Sequence, residues 1–387
     1  MGKLKKILLG YFVCIGVGAH MFALVLVVAV PDLVHKAYAK GMQWATAHGY
    51  NIAQLDRRTL PVDLALEIKQ VFGSWEPIAA AENGREGIWI GDTHFSSLKN
   101  AAQSLKAGQT LEIGEGVYHE PLVLEENDVV VRGLGHVVLE GAVAQGKAAI
   151  ITKGNNIHIE NIECRGIKVK DKNGACVRHE GRNLKLVHVY FHSSEAGLLS
   201  GAKGGRIEIL DSRFERLGRQ GQAHGVYIGG GELIIRDSRF IASVDEGHEI
   251  KSRAELTFID KSVIASLSSE DSRLLDIPNG GRLIVTNSIL QQGLGSSNQD
   301  AIGYGLENAS YTDNTILLKN NIIILERHGR SQLIHAASDL VRTEAINNIV
   351  VSSDPVELPG FNLIFESRQE AGLPDYPALP AMPGTAQ

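Results

Sequence analysis

The 387-residue sequence predicts an all-β protein, a right-handed parallel β-helix, with a transmembrane helix and a helical spacer ahead of it. Three observations predict the solenoid. An apolar–x–apolar–x–(Asn, Asp or His) string recurs along the chain, a second short strand follows each recurrence after a Gly- or Ser-containing loop, and no amphipathic helix intervenes. A unit this small cannot bury its own apolar face, so successive units must stack.

Composition narrows the field further. A hydrophobic content of 44% with 42 glycines describes a folded, turn-rich chain. A formal net charge of −6, without a Lys/Arg stripe interleaved with aromatics, excludes nucleic acid as a partner. The three cysteines, at 14, 164 and 176, make no disulfide framework, although a Cys164–Cys176 bridge stays open. There is no CxxC or HExxH, hence no transition-metal site.

In chain order, residues 1–31 read as an N-terminal transmembrane anchor or signal. MGKLKK precedes ILLGYFVCIGVGAHMFALVLVVAV, an apolar run long enough to span a bilayer. Lys3, Lys5 and Lys6 keep the N-terminus cytoplasmic and place the remainder on the periplasmic or extracellular side. The rival is secretion after cleavage near AYA at 37–39. Residues 32–85 read as a membrane-proximal helical spacer, in which VDLALEIKQVF has mixed three and four spacing. Residues 366–387 form a Pro/Ala-rich tail expected to be extended and without a packed element.

Between them, residues 86–365 hold the repeat. Its strings end at Asn161, His188, Asp211, Asp237, Asp260, Asn287, Asn320 and Asn348, at spacings of 27, 23, 26, 23, 27, 33 and 28. The LxxLxLxxN string of a leucine-rich repeat is absent. Asn and Asp at these positions are scaffold: they tolerate left-handed backbone and hydrogen-bond to their stacked neighbours.

SLKNAAQSLKAGQTLEIGEGVYHEPLVL at 97–124 resembles the opening coil of the pectate-lyase-like superfamily. The resemblance implies a helix covering the barrel end, a G-x-Y turn at Gly116 and Tyr118 after the first strand, and a solenoid running to about residue 365.

Chemistry is expected on the second strand of each unit. With Val177, Val226, Ile250 and Leu275 inward, Arg178, Tyr227, Lys251, Asp276 and His335 form an outward column, with Glu180 and Arg253 one position further along. Such a wall suits an acidic polysaccharide, because Arg forks match carboxylates. Removal of the C5 proton of a uronate requires a neutralised carboxylate and a base. Lys251 would be that base if Arg253 and burial depress its pKa. Arg253 or Arg178 would hold the carboxylate, Tyr227 or His248 would serve the leaving group, and Asp276 would orient Lys251 or help hold a cation. His224 is expected to bind substrate with Arg178, Asp276, His335 and Glu180; His224 and His248 also fall at inward parity or at a strand edge, which admits a structural hydrogen bond as the alternative. Tyr304 and His179 read as core, and Asn279 as a turn residue.

Lys251 with Arg253 is similar to the basic pair of chondroitinase B and the alginate lyases. That resemblance implies calcium as a cofactor beside an acidic cluster, for which this chain offers Asp276, Glu249, Asp245 and Glu246. The DPHD string of mannuronan C5-epimerases is absent. The expected function is an envelope-anchored lyase, before an epimerase, on an acidic polysaccharide. The alternatives are a non-catalytic scaffold binding exopolysaccharide or an envelope protein partner, and a polygalacturonase-like glycoside hydrolase.

Overall fold

Aliphatic residues repeat at matching positions because each coil lays its strands in register on the coil before. The computed structural model describes residues 63–81, 85–337 and 341–384. The apolar run at 7–30 and most of the expected spacer lie outside the described residues; among these no helix is long and apolar enough to cross a membrane.

The architecture is a parallel β-solenoid. One face is a sheet of nine parallel strands, running from Leu122–Leu124 through Val226–Ile228, Ile250–Ser252 and Leu275–Ile277 to Gln332–Ala336. Its inward column is Leu122, Ile150, Val177, Leu198, Val226, Ile250, Leu275, Ile302 and Ile334. Two further columns line the interior. One carries Leu186, Ile209, Ile235, Ile259, Val285 and Leu318, the other Phe191, Phe214, Phe240, Ile264 and Leu290. Phe214 and Phe240 stack with ring centroids 5.0 Å apart. Each fully buried aliphatic side chain contributes roughly 1.5–3 kcal/mol of transfer free energy, and the repeat multiplies that along the axis.

The corner between these two columns explains the polar end of the repeat. Asn161, His188, Asp211, Asp237, Lys261, Asn287, Asn320 and Asn347 all adopt positive φ. The expected corners at Asp260 and Asn348 are therefore one residue off. Lys261 takes the left-handed position, while Asp260 accepts hydrogen bonds from Thr286 and Asn287 on the next coil, both at 2.7 Å. One residue further along, a buried ladder links backbone N–H groups to side chains of the following coil, from Ser212 through Ser238, Ser262, Ser288 and Asn321 to Asn348. Buried amides that no strand reaches are satisfied in this way.

The helix Leu98–Ser104 covers the first coil with fully buried Leu98 and Ala101. Gly116 and Tyr118 do not form a turn: the strand Thr110–Tyr118 runs through them with a bulge at Gly114/Gly116, and the Tyr118 hydroxyl donates to the Gly114 carbonyl. From residue 63 onward the expected spacer packs on the solenoid. Asp63 caps the helix Leu64–Phe72, and Ile68 packs with Ile241, Ala242 and Leu267. The segment after it stacks Trp75 on Tyr190 and exchanges hydrogen bonds between Ile78 and Asn161.

The C-terminal segment is packed as well, contrary to its expected lack of a docked element. Leu373, Leu379 and Met382 lie against Ile322, Ile324 and Val351. Arg368 joins Glu326 and donates to the carbonyls of Pro374 and Ala378. Cys164 and Cys176 are disulfide-bonded, their Cα atoms 5.8 Å apart.

Candidate functional site on the nine-stranded face

The outward column of this sheet reads Arg178, Leu199, Tyr227, Lys251, Asp276, Gly303 and His335. The expected residues therefore share one column, with Leu199 and Gly303 between them. Arg178 stands two coils from Tyr227, about 10 Å at the spacing of adjacent strands, and Glu180 pairs with Lys147 at 2.5 Å. Neither touches the cluster around Lys251.

A second outward column runs beside the first, and it corrects the parity expected for the histidines. Each strand opens with two successive inward residues, such as Cys176 with Val177, Leu274 with Leu275, and Ala301 with Ile302. The residue before each pair consequently faces out. Ala148, Ala175 and Ala196 occupy these positions on the early coils, in an outer apolar cluster with Ile151 and Leu199. His224, His248, Arg273 and Asp300 occupy them on the later coils. The His224 and His248 rings stack at 4.6 Å.

Both histidines have one nitrogen committed. His224 Nδ1 accepts the His248 backbone N–H at 3.1 Å, and His248 Nδ1 accepts that of Arg273 at 3.1 Å. Burial pushes both pKa values down, that of His248 to about 3, so both rings are neutral with the proton on Nε2. His248 Nε2 faces Asp276 Oδ2 at 3.5 Å.

Ion pairs knit the two columns together. Lys251 Nζ lies 3.0 Å from Asp276 Oδ2, and Arg273 spans Asp276 Oδ1 and Asp300 Oδ2 at 3.1 Å each. His335 Nδ1 reaches the same Asp300 oxygen at 2.9 Å. Gly303 makes room for this arrangement, since a Cβ there would stand 2.7 Å from Arg273 Nε. Arg253 donates to the Tyr227 hydroxyl oxygen at 2.7 Å and to Asn279 Oδ1 at 2.6 Å. Asn279 is thus a ligand of Arg253 as well as a turn residue.

Glu307, which the outward-column reading omits, closes the cluster. Its Oε1 lies 2.9 Å from Lys251 Nζ, and its Oε2 accepts from Arg253 Nη2. Burial pushes this carboxyl up, but hydrogen bonds and charge from Lys251 and Arg253 outweigh it and hold the pKa at about 2. For Lys251, burial lowers the pKa, while Asp276 and Glu307 more than reverse that and leave it raised. The depressed pKa expected for a Lys251 base is therefore not what the geometry provides.

The remaining expectations separate cleanly. Tyr304 is fully buried in the core, and His179 is buried between Thr152 Oγ1 at 2.7 Å and the Gly204 carbonyl at 3.2 Å. Glu249 does not join Asp276: it turns inside, where Ser243 donates to both of its oxygens. Asp245 pairs with Arg219 at 3.7 Å. Among the described residues no group of three or more His, Cys, Asp or Glu side chains is placed to hold a metal ion.

The chain is thus a parallel β-solenoid protein with an ion-paired cluster on one sheet face. No family model matches the sequence, and no curated protein does. Among solved structures, a pectin methylesterase mutant in complex with a hexasaccharide is 15% identical with a TM-score of 0.44, the match covering 76% of this chain and 96% of that one. A Geobacillus virus E2 protein, ORF18, is 12% identical with a TM-score of 0.36; the match covers 70% of this chain and 52% of the viral one, about half its length. The solenoid assignment rests on the strand pairing itself.

Proposed function

We propose that the face carrying Tyr227, Lys251 and Arg253 binds an acidic polysaccharide and removes the C5 proton of a uronate, as a lyase before an epimerase. The observation that carries this reading is the two-cation fork of Lys251 and Arg253 closed on a single, half-exposed carboxylate, with a phenol hydrogen-bonded to the same guanidinium. Among Lys251, Arg253, Arg273, Asp276, Asp300 and Glu307 the charges balance, and Asp276 and Asp300 are buried. Exchange of the exposed Glu307 for a sugar carboxylate keeps that balance.

Bound so, the sugar carboxylate is neutralised, which lowers the cost of negative charge at C5. Tyr227, acting as a phenolate held by the Arg253 guanidinium, takes the C5 proton, the C–H electron pair forms the C4–C5 double bond, and the C4–O bond breaks so that the glycosidic oxygen departs with that proton returned by the phenol. Lys251, held protonated, acts as an electrostatic partner and not as the base. In an epimerase the same carbanion is reprotonated from the opposite face.

The envelope location belongs to the same reading. Its supports are the lysine-flanked apolar run and the Cys164–Cys176 disulfide, a bond that persists in oxidising compartments.

The test is incubation of the protein with a panel of uronate polymers. A lyase generates near-ultraviolet absorbance, and Tyr227→Phe lowers turnover about 100-fold or more with binding largely retained. New reducing ends without absorbance would instead select a hydrolase, the second reading, with Asp276 and Asp300 as its carboxylate pair. Binding of the polymers without any product would leave the scaffold.

A further inference from the structure

The insertion that brings Glu307 to the site is visible as a change of period. Ser262 and Ser288 are equivalent positions 26 residues apart, whereas Ser288 and its counterpart Asn321 are separated by 33. The longer coil includes the 305–314 segment, whose backbone is tied down by its own hydrogen bonds. The Glu307 and Asn308 N–H groups both donate to the Pro278 carbonyl, that of Ser310 donates to the Asn279 carbonyl, and the Tyr311 hydroxyl donates to the Arg253 carbonyl.

The Glu307 side chain differs from every other acid of the cluster. Its side chain is 49% exposed, whereas Asp276 and Asp300 are buried at 3% and 4%. Its two oxygens are divided between two cations, Oε1 to Lys251 and Oε2 to Arg253, the arrangement expected for a carboxylate ligand held from both sides. Rotation about its own side-chain bonds would vacate the fork without moving the anchored backbone, and such flips take picoseconds to nanoseconds.

We propose that Glu307 is a built-in competitor, a tethered carboxylate that occupies the seat of the ligand's carboxylate and sets the selectivity of the site for anions able to displace it. The proposal rests on the carboxylate-binding reading above. A neutral or esterified sugar gains nothing from opening the fork, because it leaves Lys251 and Arg253 without a counter-charge. An ionised sugar replaces one carboxylate by another at no change in net charge. The low pKa of Glu307 fits the same picture, since mild acid does not release it and displacement falls to the ligand.

A tethered group at an effective concentration in the millimolar range weakens an intermolecular rival by the fraction of time it holds the seat. Removing it should therefore tighten carboxylate binding about tenfold.

The experiment uses Glu307→Ala and the near-isosteric Glu307→Gln, with sodium glucuronate and its methyl ester as probes. Glucuronate should raise the melting temperature of both variants saturably, at concentrations about tenfold below those needed for the parent protein. The methyl ester and matched sodium chloride should do nothing, and adding Arg253→Ala to either variant should abolish the response. If neither variant gains affinity for glucuronate, the proposal is overturned whatever the enzyme does to polymers. If both gain it but no uronate polymer is bound or modified, the competitor stands and the polysaccharide reading falls. Misfolding of the Ala variant is recognised from its circular dichroism, and the Gln variant then decides.

Discussion

At the scale of single residues, the site depends on small side chains as much as on charged ones. Gly303 is the column position over which Arg273 passes to reach Asp276 and Asp300. Gly303→Ala should push the guanidinium aside, lower turnover on the uronate substrate at least tenfold and lower the melting temperature as well, because the buried Asp276 and Asp300 lose their counter-charge; a crystal structure of the variant would show whether the Arg273 bridge is broken. The charged column itself was readable from alternation, because Tyr227, Lys251 and Asp276 lie on three successive in-register strands. Arg273, Asp300 and Glu307 were not. The first two sit before a pair of inward residues, so simple alternation points them into the core, and Glu307 arrives on a loop that no strand period describes. The 33-residue coil was the one available signal, since an insertion beside a face is where binding loops accumulate.

At the scale of elements, the segments flanking the solenoid were the hardest to read. The helix Leu64–Phe72 was legible from its spacing, but its destination was not, because a nine-residue amphipathic helix has the same pattern on any apolar surface. Its docking depends on Glu67, whose carboxylate accepts the backbone N–H and hydroxyl of Ser268 and the hydroxyl of Tyr376 from the C-terminal segment. Glu67→Ala would leave those donors unsatisfied at a buried contact, which costs about 1–3 kcal/mol. The midpoint of urea unfolding should drop accordingly, and proteolysis should cut first near both flanking segments. The Pro/Ala composition of the tail suggested a solvated strand. What overrides composition there is Arg368, whose burial against Glu326 lets Leu373, Leu379 and Met382 close over Ile322, Ile324 and Val351. The corner shift at Lys261 has a related origin: Asp260 supplies the acceptor that Asn287 needs, so the left-handed residue itself need not be Asn or Asp.

Across the whole molecule, the response to pH should be asymmetric. Glu249 and Asp271 are buried carboxyls whose pKa values burial pushes up, that of Asp271 to about 7. Folded protein keeps protons that the unfolded chain has released above about pH 4, so this pair stabilises fully below that value and loses its contribution as pH rises through about 7. Glu163 works in the other direction. Burial pushes its carboxyl up, but hydrogen bonds from His192 and His136 outweigh this and hold it at about 2, so its contribution is present above about pH 4 and is lost as the pH falls towards 2. Thermal unfolding followed from pH 3 to 9 should give its highest midpoint between about 4 and 6, and Asp271→Asn should flatten the alkaline side. An unchanged alkaline limb in that variant would show that the buried pair does not govern it.

The interior columns, with their corner ladder, run through these coils without regard to what the outer faces carry, so surface chemistry can vary while the stack is kept. The cluster of Tyr227, Lys251 and Asp276 sits on inner strands of the nine-stranded sheet, with Arg178 and Leu199 to one side and His335 to the other. A long sugar chain lying along the axis would therefore cross the reacting groups somewhere in its middle and carry on past them at both ends. Under the proposed lyase reading, attack at interior linkages, yielding fragments of many lengths instead of trimmed termini, is the pattern of breakdown expected.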